Sequence, residues 1–296
     1  AAEWAAVHGL RFFIVGAGSN ILVSDKGYDG MFIRLAGGRI TVDGQCLCAD
    51  AGVMMARAVL ESAKAGLTGL EWGIGVPGTV GGSVRSNAGC FGGEIRQVLE
   101  SAQVLEITNH KSQITNKAQN PKHKTQNRIR TFSLNNSECQ FGYRDSIFKK
   151  HPEWIILSAT LVLKKGDPQE ILEKIRRISE ERTKKQDIGT KSCGCIFKNV
   201  SWGRGDLNKH KLLTEFPELE RFKDQENIPA SYLIDAAGLK GKRIGKAVVS
   251  NRHANFFVNE GGAAAEEVIM LIGAVKDAVK RKFGIILEEE IQYVGF

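Results

Sequence analysis

The chain has 296 residues, 42% of them hydrophobic and 25% charged, a balance that excludes wholesale disorder and leaves room for two domains of ordinary size. Its longest apolar runs, at 154–157 and 268–272, fall far short of the roughly 18–20 residues that cross a bilayer, so no membrane-spanning helix is expected. Of the net charge of +8, six positive charges and no acid sit within residues 108–130 (Lys111, Lys117, Lys122, Lys124, Arg128 and Arg130).

That stretch is otherwise rich in Asn, Gln and Thr and reads as a solvated insertion. No aromatic platform or recognition helix accompanies its charges, which argues against a nucleic-acid partner. The six cysteines have no zinc-ribbon spacing, since 46/48 and 193/195 are C-x-C pairs. No metal site is expected, and free thiols in a reducing, cytoplasmic setting are the default.

In chain order, AAEWAAVHGL is helical in pattern but has no N-cap, and the first methionine is Met31. The expectation is a fragment whose own N-terminus is missing. Strands are predicted at 11–15, 31–35, 41–42 and 46–49, then a helix at 54–65. A glycine-dense loop follows, then an extended run at 98–107. Beyond the basic stretch, 154–163 is a strand rich in aliphatic residues. Asp167 and Pro168 supply an N-cap and a proline at N1, and Ile171, Ile175 and Ile178 form one apolar face of a helix ending near Lys184–Lys185. Gly189 marks a junction. A second helix follows Ala264, with Glu266 and Glu267 in its first turn, Lys280, Arg281 and Lys282 in its last, and Gly284 as its stop. Its stripe is Val268, Ile272, Val275, Val279 and Phe283, and residues 285–294 are predicted to form a terminal strand.

Four clusters can carry chemistry. Residues 73–93 hold eight glycines, an enrichment that suits close approach of backbone to a flat or anionic ligand, or alternatively a set of tight turns. Gly16-Ala17-Gly18-Ser19-Asn20 has a similar character without being the dinucleotide fingerprint, because Ile21 stands where its third glycine belongs. In FGYRDS, Arg144 beside Tyr143 suits a bidentate carboxylate clamp or a plain surface turn. In SCGCIFKN, Cys195 next to Gly194 is either an accessible thiol acid or a small buried cysteine. Finally, alternation puts Glu288 and Glu290 on one strand face and Glu289 on the other, so at least one carboxylate points inward or the run is a solvated edge.

Six ordered blocks resemble the UDP-N-acetylenolpyruvoylglucosamine reductase family: GAGSNILVSDKGYDGMFIRL, GLEWGIGVPGTVGGSVRSNAGCFGGEI, FGYRDSIFK, SCGCIFKN, ASYLIDAAGLKGKRIGKAVVSNRHANFFVN and LEEEIQYVG. The resemblance implies an α+β fold, with a two-part FAD-binding domain of the vanillyl-alcohol-oxidase/PCMH type over 1–187, its N-terminal portion incomplete. It implies a smaller α+β substrate-binding domain over 188–285, and a strand at 286–296 returning to the FAD-binding part. It implies FAD as cofactor, NADPH as hydride donor and a UDP-sugar as substrate in peptidoglycan synthesis, and leaves the oligomeric state open.

By motif position Arg144, Cys195 and Glu290 would be catalytic, with Cys195 standing where the family usually has a serine. Gly16, Ala17, Gly18, Ser19, Asn20, Val76, Pro77, Gly78, Thr79, Gly82, Asn87 and Gly89 would cradle FAD. Tyr143, Lys198, Asn199, Lys240 and His253 would face the substrate. Val200 replaces the usual proline, and 201–228 is longer than the family pattern. A different flavin oxidoreductase would lack the Arg144, Cys195 and Glu290 set, and a basic nucleic-acid-binding protein would show steep salt dependence.

Overall fold

The computed structural model describes residues 1–109, 127–187 and 189–296. The central part of the basic stretch, 110–126, therefore lies outside the described residues. The chain divides into two compact units: Ala1–Gly18 with Asp29–Glu181, and Ser19–Tyr28 with Arg182–Phe296.

The first unit is built on a five-stranded antiparallel sheet whose spatial order is Asn127–Asn135, Leu99–Asn109, Trp154–Val162, Cys46–Asp50 and Ile40–Asp43. The run WIILSATLV does not alternate as a half-solvated strand should, and the structure gives the reason. Both sheet faces are covered, and a register shift lies between Ile156 and Ser158. Ile155 packs with Ala6 of the helix Ala2–Val7 and Ile107 on one face, while Ile156 joins the main core on the other. Strands covered on both sides read as continuous apolar runs.

The helices Met55–Lys64 and Pro168–Lys185 complete the core with Met55, Ala58, Val59, Ile171 and Ile175, and Ile178 is buried on the same helix face. Asp167 Oδ1 accepts the Gln169 and Glu170 N–H groups at 2.9 and 3.0 Å, as an N-cap must. The strand Asn127–Asn135 corrects the expected insertion: residues 127–130 are paired ladder, facing 109–106. Arg130 there forms an ion pair with Glu106 and lies over the Phe132 ring, so its charge belongs to the sheet.

The second unit contains a three-stranded antiparallel sheet (Arg243–Ile244, Ala247–Val249, Phe257–Asn259), under the helix Ala265–Phe283. The predicted stripe of that helix is buried, together with Leu271, and Gly284 ends it at φ 69°. The long 201–228 stretch joins the core of this unit: Val200–Ser201 pairs with Asn227–Ile228, and Trp202, Leu212, Leu219 and Phe222 are buried in the same cluster as Phe197, Val275 and Phe283.

The predicted strand at 285–294 is corrected. Only Gln292–Val294 forms a ladder, parallel to Ile21–Val23. Residues before it alternate in burial, with Ile285 and Leu287 inside and Ile286 out. Their partners are discrete: Arg204 Nη1 donates to Ile286 O at 2.8 Å, and Phe197 bridges Glu289. No helix among the described residues is long and apolar enough to cross a membrane.

One charged group is packed in the first unit. The Glu71 residue is 2% exposed, and its carboxylate accepts from the Thr68 hydroxyl, from Gly69 N–H at 3.0 Å and from Lys174 Nζ at 3.2 Å. Burial pushes its carboxyl up, but these donors outweigh that and hold it below the ordinary value of 4.5. A depressed carboxyl adds stability that is present above the unfolded value and is lost as pH falls through the folded one. Glu71→Ala is expected to cost about 2–3 kcal/mol in thermal or urea unfolding at neutral pH. Glu71→Gln is expected to flatten the loss of stability on acidification below about pH 5.

Candidate functional site

In the first unit the two glycine segments meet. The loop at Gly16 follows the strand Phe12–Val15, and a Cβ on Gly16 would lie 2.5 Å from Thr79 Oγ1. Thr79 in turn caps the helix Val80–Ser86 by accepting Gly82 N–H at 3.3 Å. Main-chain bonds fix the second segment to 51–55: Met55 N to Gly78 O, Val80 N to Val53 O and Gly81 N to Ala51 O, all 2.8–2.9 Å. The result is a backbone edge on which Ala17, Pro77 and Gly82 are exposed.

The glycine enrichment has two causes. A Cβ on Gly73 would strike Met55, on Gly81 Ala51, on Gly89 the Glu94 backbone, and on Gly93 the Trp72 ring at 2.1 Å. Those four serve internal packing, as the tight-turn alternative supposed. Gly82 meets only Thr79 Oγ1, at 3.6 Å, and this is the kind of open glycine a ligand needs.

Asn87 and Arg144 are joined through the same loop. Asn87, fully buried, ends the helix in the left-handed region at φ 43°. Its Nδ2 donates to Glu94 Oε2 and Gly142 O, both at 2.9 Å, and its Oδ1 accepts Arg96 N–H at 3.0 Å. Gly142 and Asp145 close a two-residue turn through a pair of main-chain bonds. Arg144 sits in that turn at φ 53°, a conformation uncommon outside glycine and concentrated at functional sites. Its Nη2 donates to Gly89 O at 2.6 Å, and its guanidinium lies 5.2 Å from the Tyr143 ring centre. This is a fixed turn rather than a loose surface one.

In the second unit, residues 195–198 run between two other segments. On one side Cys195 bridges Phe256, and Ile196 N–H donates to Asn255 O at 2.9 Å. On the other, Glu290 N–H donates to Ile196 O at 2.7 Å, and Lys198 N–H donates to Glu288 O at 2.8 Å. Glu290 thereby stands opposite Ile196, one residue along the segment from Cys195, whose own bridge is to Phe256. Ser19 and Asn20 belong to this unit. Asn20 Nδ2 donates to Glu290 O at 3.2 Å, and a Cβ on Gly194, at φ 77°, would sit 3.3 Å from Ser19 O. Arg144 and Gly16–Gly18 belong to the first unit.

The three glutamates part company. Glu288 is exposed, with Lys198 and Arg204 at 3.8 Å. Glu289 is half-buried and accepts from Lys276 at 2.8 Å and from the Tyr293 hydroxyl at 2.6 Å. Burial pushes Glu289 up and these donors pull it below its ordinary range. Of the two cysteines in the motif, Cys193 is the buried one, and its thiol is pushed up to about 11 by burial.

The remaining residues expected to face substrate are placed as follows. Asn199 Oδ1 accepts Ala230 N–H at 3.1 Å, at the start of the helix Ala230–Ala236. Lys240 pairs with Asp235 at 2.6 Å. His253 N–H is held by Ser250 Oγ at 3.0 Å, and its Nδ1 is buried without a hydrogen-bond partner among the described residues. Burial pushes its imidazole below 6.5, the Arg182 charge adds to that, and Asp187 opposes it. Among the described residues, no cluster of three or more His, Cys, Asp or Glu is arranged to hold a metal.

Asn255 was not singled out from the sequence. It is 2% exposed, and its side chain accepts Phe197 N–H at 2.9 Å and donates to Phe197 O at 2.7 Å. The signal was a lone amide among apolar residues in HANFF, a polar group that must find partners if buried.

A family profile described as FAD binding domain matches residues 1–109, and one described as UDP-N-acetylenolpyruvoylglucosamine reductase, C-terminal domain, matches 185–294. Over 289 residues the chain is 35% identical to the UDP-N-acetylenolpyruvoylglucosamine reductase of Caldicellulosiruptor bescii, covering 97% of this chain and 77% of that one. It belongs to the UDP-N-acetylenolpyruvoylglucosamine reductase family. The reductase of Carboxydothermus hydrogenoformans is also 35% identical over 289 residues, with 97% and 80% covered. The crystal structure of the Thermus caldophilus enzyme superposes with a TM-score of 0.69 at 30% identity, covering 99% of this chain and 90% of that one. The family read from the six sequence blocks is thus the family these relatives define. The fold class stands with it: an FAD-binding domain plus a smaller reductase-type α+β domain.

Asn255 supplies a test of the ladder in this reductase fold. In Asn255→Asp a carboxylate would face the Phe197 carbonyl, so the folded state should favour the protonated acid and raise its pKa. Stability then is retained below the unfolded carboxyl value and is lost as pH rises through it. The melting temperature of Asn255→Asp is expected to fall between pH 4 and 7, relative to the parent chain measured in parallel.

Proposed function

We propose that this chain reduces the enolpyruvyl ether of UDP-N-acetylglucosamine-enolpyruvate to UDP-N-acetylmuramate, with FAD as cofactor and NADPH as hydride donor, in peptidoglycan synthesis. The observation that carries the reading is the match to the family's C-terminal domain over 185–294, within which Cys195 lies one residue from the main-chain partner of Glu290.

The residues fit the cofactor on their own chemistry. Gly16 packed on Thr79 and the open Gly82 leave a side-chain-free edge where a Cβ would intrude. Gly16, Ala17, Gly18, Ser19, Asn20, Val76, Pro77, Gly78, Thr79, Gly82, Asn87 and Gly89 would hold FAD. When bound, FAD supplies a site that accepts hydride from NADPH and passes it to the enolpyruvyl methylene carbon.

The protein groups do the rest. Arg144 would hold the substrate carboxylate and stabilise the enolate-like charge that grows there as hydride arrives. Preorganised donors of this kind are worth about 10²–10³ in rate. The Cys195 thiol would then donate a proton to the adjacent carbon, which completes the addition of hydride and proton across the double bond. A thiol, with a reference pKa of about 8.5, is a far stronger acid than the alcohol it replaces, so the role survives the exchange. Glu290 would assist from the opposite side. Tyr143, Lys198, Asn199, Lys240 and His253 would face the sugar nucleotide, the partnerless Nδ1 of His253 being a ready hydrogen-bonding group for it.

On this reading the FAD-binding part would span 1–187 and the substrate-binding part 188–285, with 286–296 as a C-terminal segment returning to the FAD-binding part. Six free cysteines accord with a cytoplasmic setting, and no nucleic-acid partner is proposed.

The purified chain should oxidise NADPH only when the enolpyruvyl sugar nucleotide is present. By stopped-flow absorbance, Cys195→Ala is expected to leave flavin reduction by NADPH unchanged and to slow reoxidation by substrate about 10²-fold. Equal NADPH consumption with an unrelated acceptor, or unaltered reoxidation, would refute the reading.

A further inference from the structure

Arg85 carries a charge that the reaction above does not use. It lies on the helix Val80–Ser86, half-buried. No carboxylate lies within ion-pair distance of it among the described residues, and burial alone pushes its guanidinium down from the ordinary value. Keeping such a cation out of water without an acid is costly unless its donors are used. Its Nη1 donates to the Phe148 carbonyl, and its own carbonyl accepts the Ser146 hydroxyl at 2.6 Å. Both partners lie just beyond the turn that carries Arg144.

That turn is therefore tied at both ends to one short helix. At the near end Asn87, the helix C-cap, holds Gly142 O. At the far end Arg85 holds residues 146 and 148, and Ser146 is fully buried. Between the ties Arg144 is held at φ 53°, with Lys149 Nζ closing on its carbonyl at 2.6 Å. A residue in the left-handed region without a glycine's freedom persists only where its surroundings over-determine it. Release of one tie would let the turn relax to a commoner conformation and carry the guanidinium away from Gly89 O.

We propose that Arg85 is a positioning residue for Arg144: its clamp on residues 146 and 148 sets the turn from which the Arg144 guanidinium acts. The proposal rests on the role given to Arg144 above. Arginine suits the task because its planar fork keeps its geometry once one N–H is engaged, whereas lysine brings one flexible point donor.

The experiment is a double-mutant cycle on the flavin-loaded protein with Arg85→Met, Arg85→Lys, Ser146→Ala and Arg144→Lys, reading kcat, KM for both substrates, flavin absorbance and melting temperature. Arg85→Met is expected to keep its flavin and its reduction by NADPH while losing about 10–100-fold in kcat, the scale set by a misplacement on the order of 1 Å. Arg85→Lys, which keeps a cationic donor without the fork, should recover part of the loss. In the Arg144→Lys background, Arg85→Met should add little, because the group it positions is already altered.

Turnover of Arg85→Met within about twofold of the parent, or a loss that multiplies in full with that of Arg144→Lys, overturns the proposal. If Arg85→Met fails to fold, Arg85→Gln, a milder change of the same side chain, decides by the same cycle, with Ser146→Ala as a control for the main-chain bond that does not need the guanidinium. Should Arg144→Lys itself leave turnover unchanged, the reading of Arg144 fails and this proposal falls with it. An impaired Arg144→Lys with additive Arg85→Met sinks only the proposal.

Discussion

The second unit depends on how one short run of backbone, residues 195–198, is held from both sides by main-chain and amide hydrogen bonds. Asn255 grips Phe197 through both of its side-chain ends, and the segment at 288–290 supplies the other edge. The main chain of the segments that carry Cys195 and Glu290 is thereby fixed. Sites built on ordered elements hold their geometry more tightly than sites on free loops. The long 201–228 stretch contributes through Arg204, which is braced by Asp206 and donates to Ile286 O. Its length buttresses the segment that leads to Glu290.

The first unit meets the same requirement by a different route. Its glycines divide between those that let the backbone pack on Trp72, Met55 and Ala51 and those that leave an edge open. Asn87 and Arg144 then spend unfavourable φ values to bring a guanidinium onto the loop that the helix Val80–Ser86 begins. The buried Glu71 lies in the same region of sequence and is fully supplied with donors, so the 3-10 turn Glu71–Gly75 that opens the glycine-rich segment is itself fixed.

Much of this was legible in the sequence. The two long helices show their stripes and stops, since period and capping are local properties. The family was readable from six blocks because motif order is a sequence property. Less visible was whatever depends on partners distant in the chain. The strand Asn127–Asn135 hid behind a basic, polar stretch, because its pairing with Leu99–Asn109 is what makes it a strand. The terminal run 285–294 has strand composition over its whole length, yet only Gln292–Val294 finds a continuous neighbour in Ile21–Val23. Alternation sorted Glu288 and Glu290 together, but Glu288 is exposed while Glu290 is half-buried. Asn255 was passed over because its importance lies in a bond across 58 residues.

The long hairpin of the first unit has its own implication. Its ladder runs without a break from Ser101 facing Asn135 to Asn109 facing Asn127, so the pairing is secured by the strands themselves. Extending a link costs only slowly more closure entropy, about 0.6 kcal/mol for each doubling. The register at both strand ends, 109 and 127, is thus carried by the ladder itself, so a reporter peptide spliced between them should leave the pairing of the sheet intact.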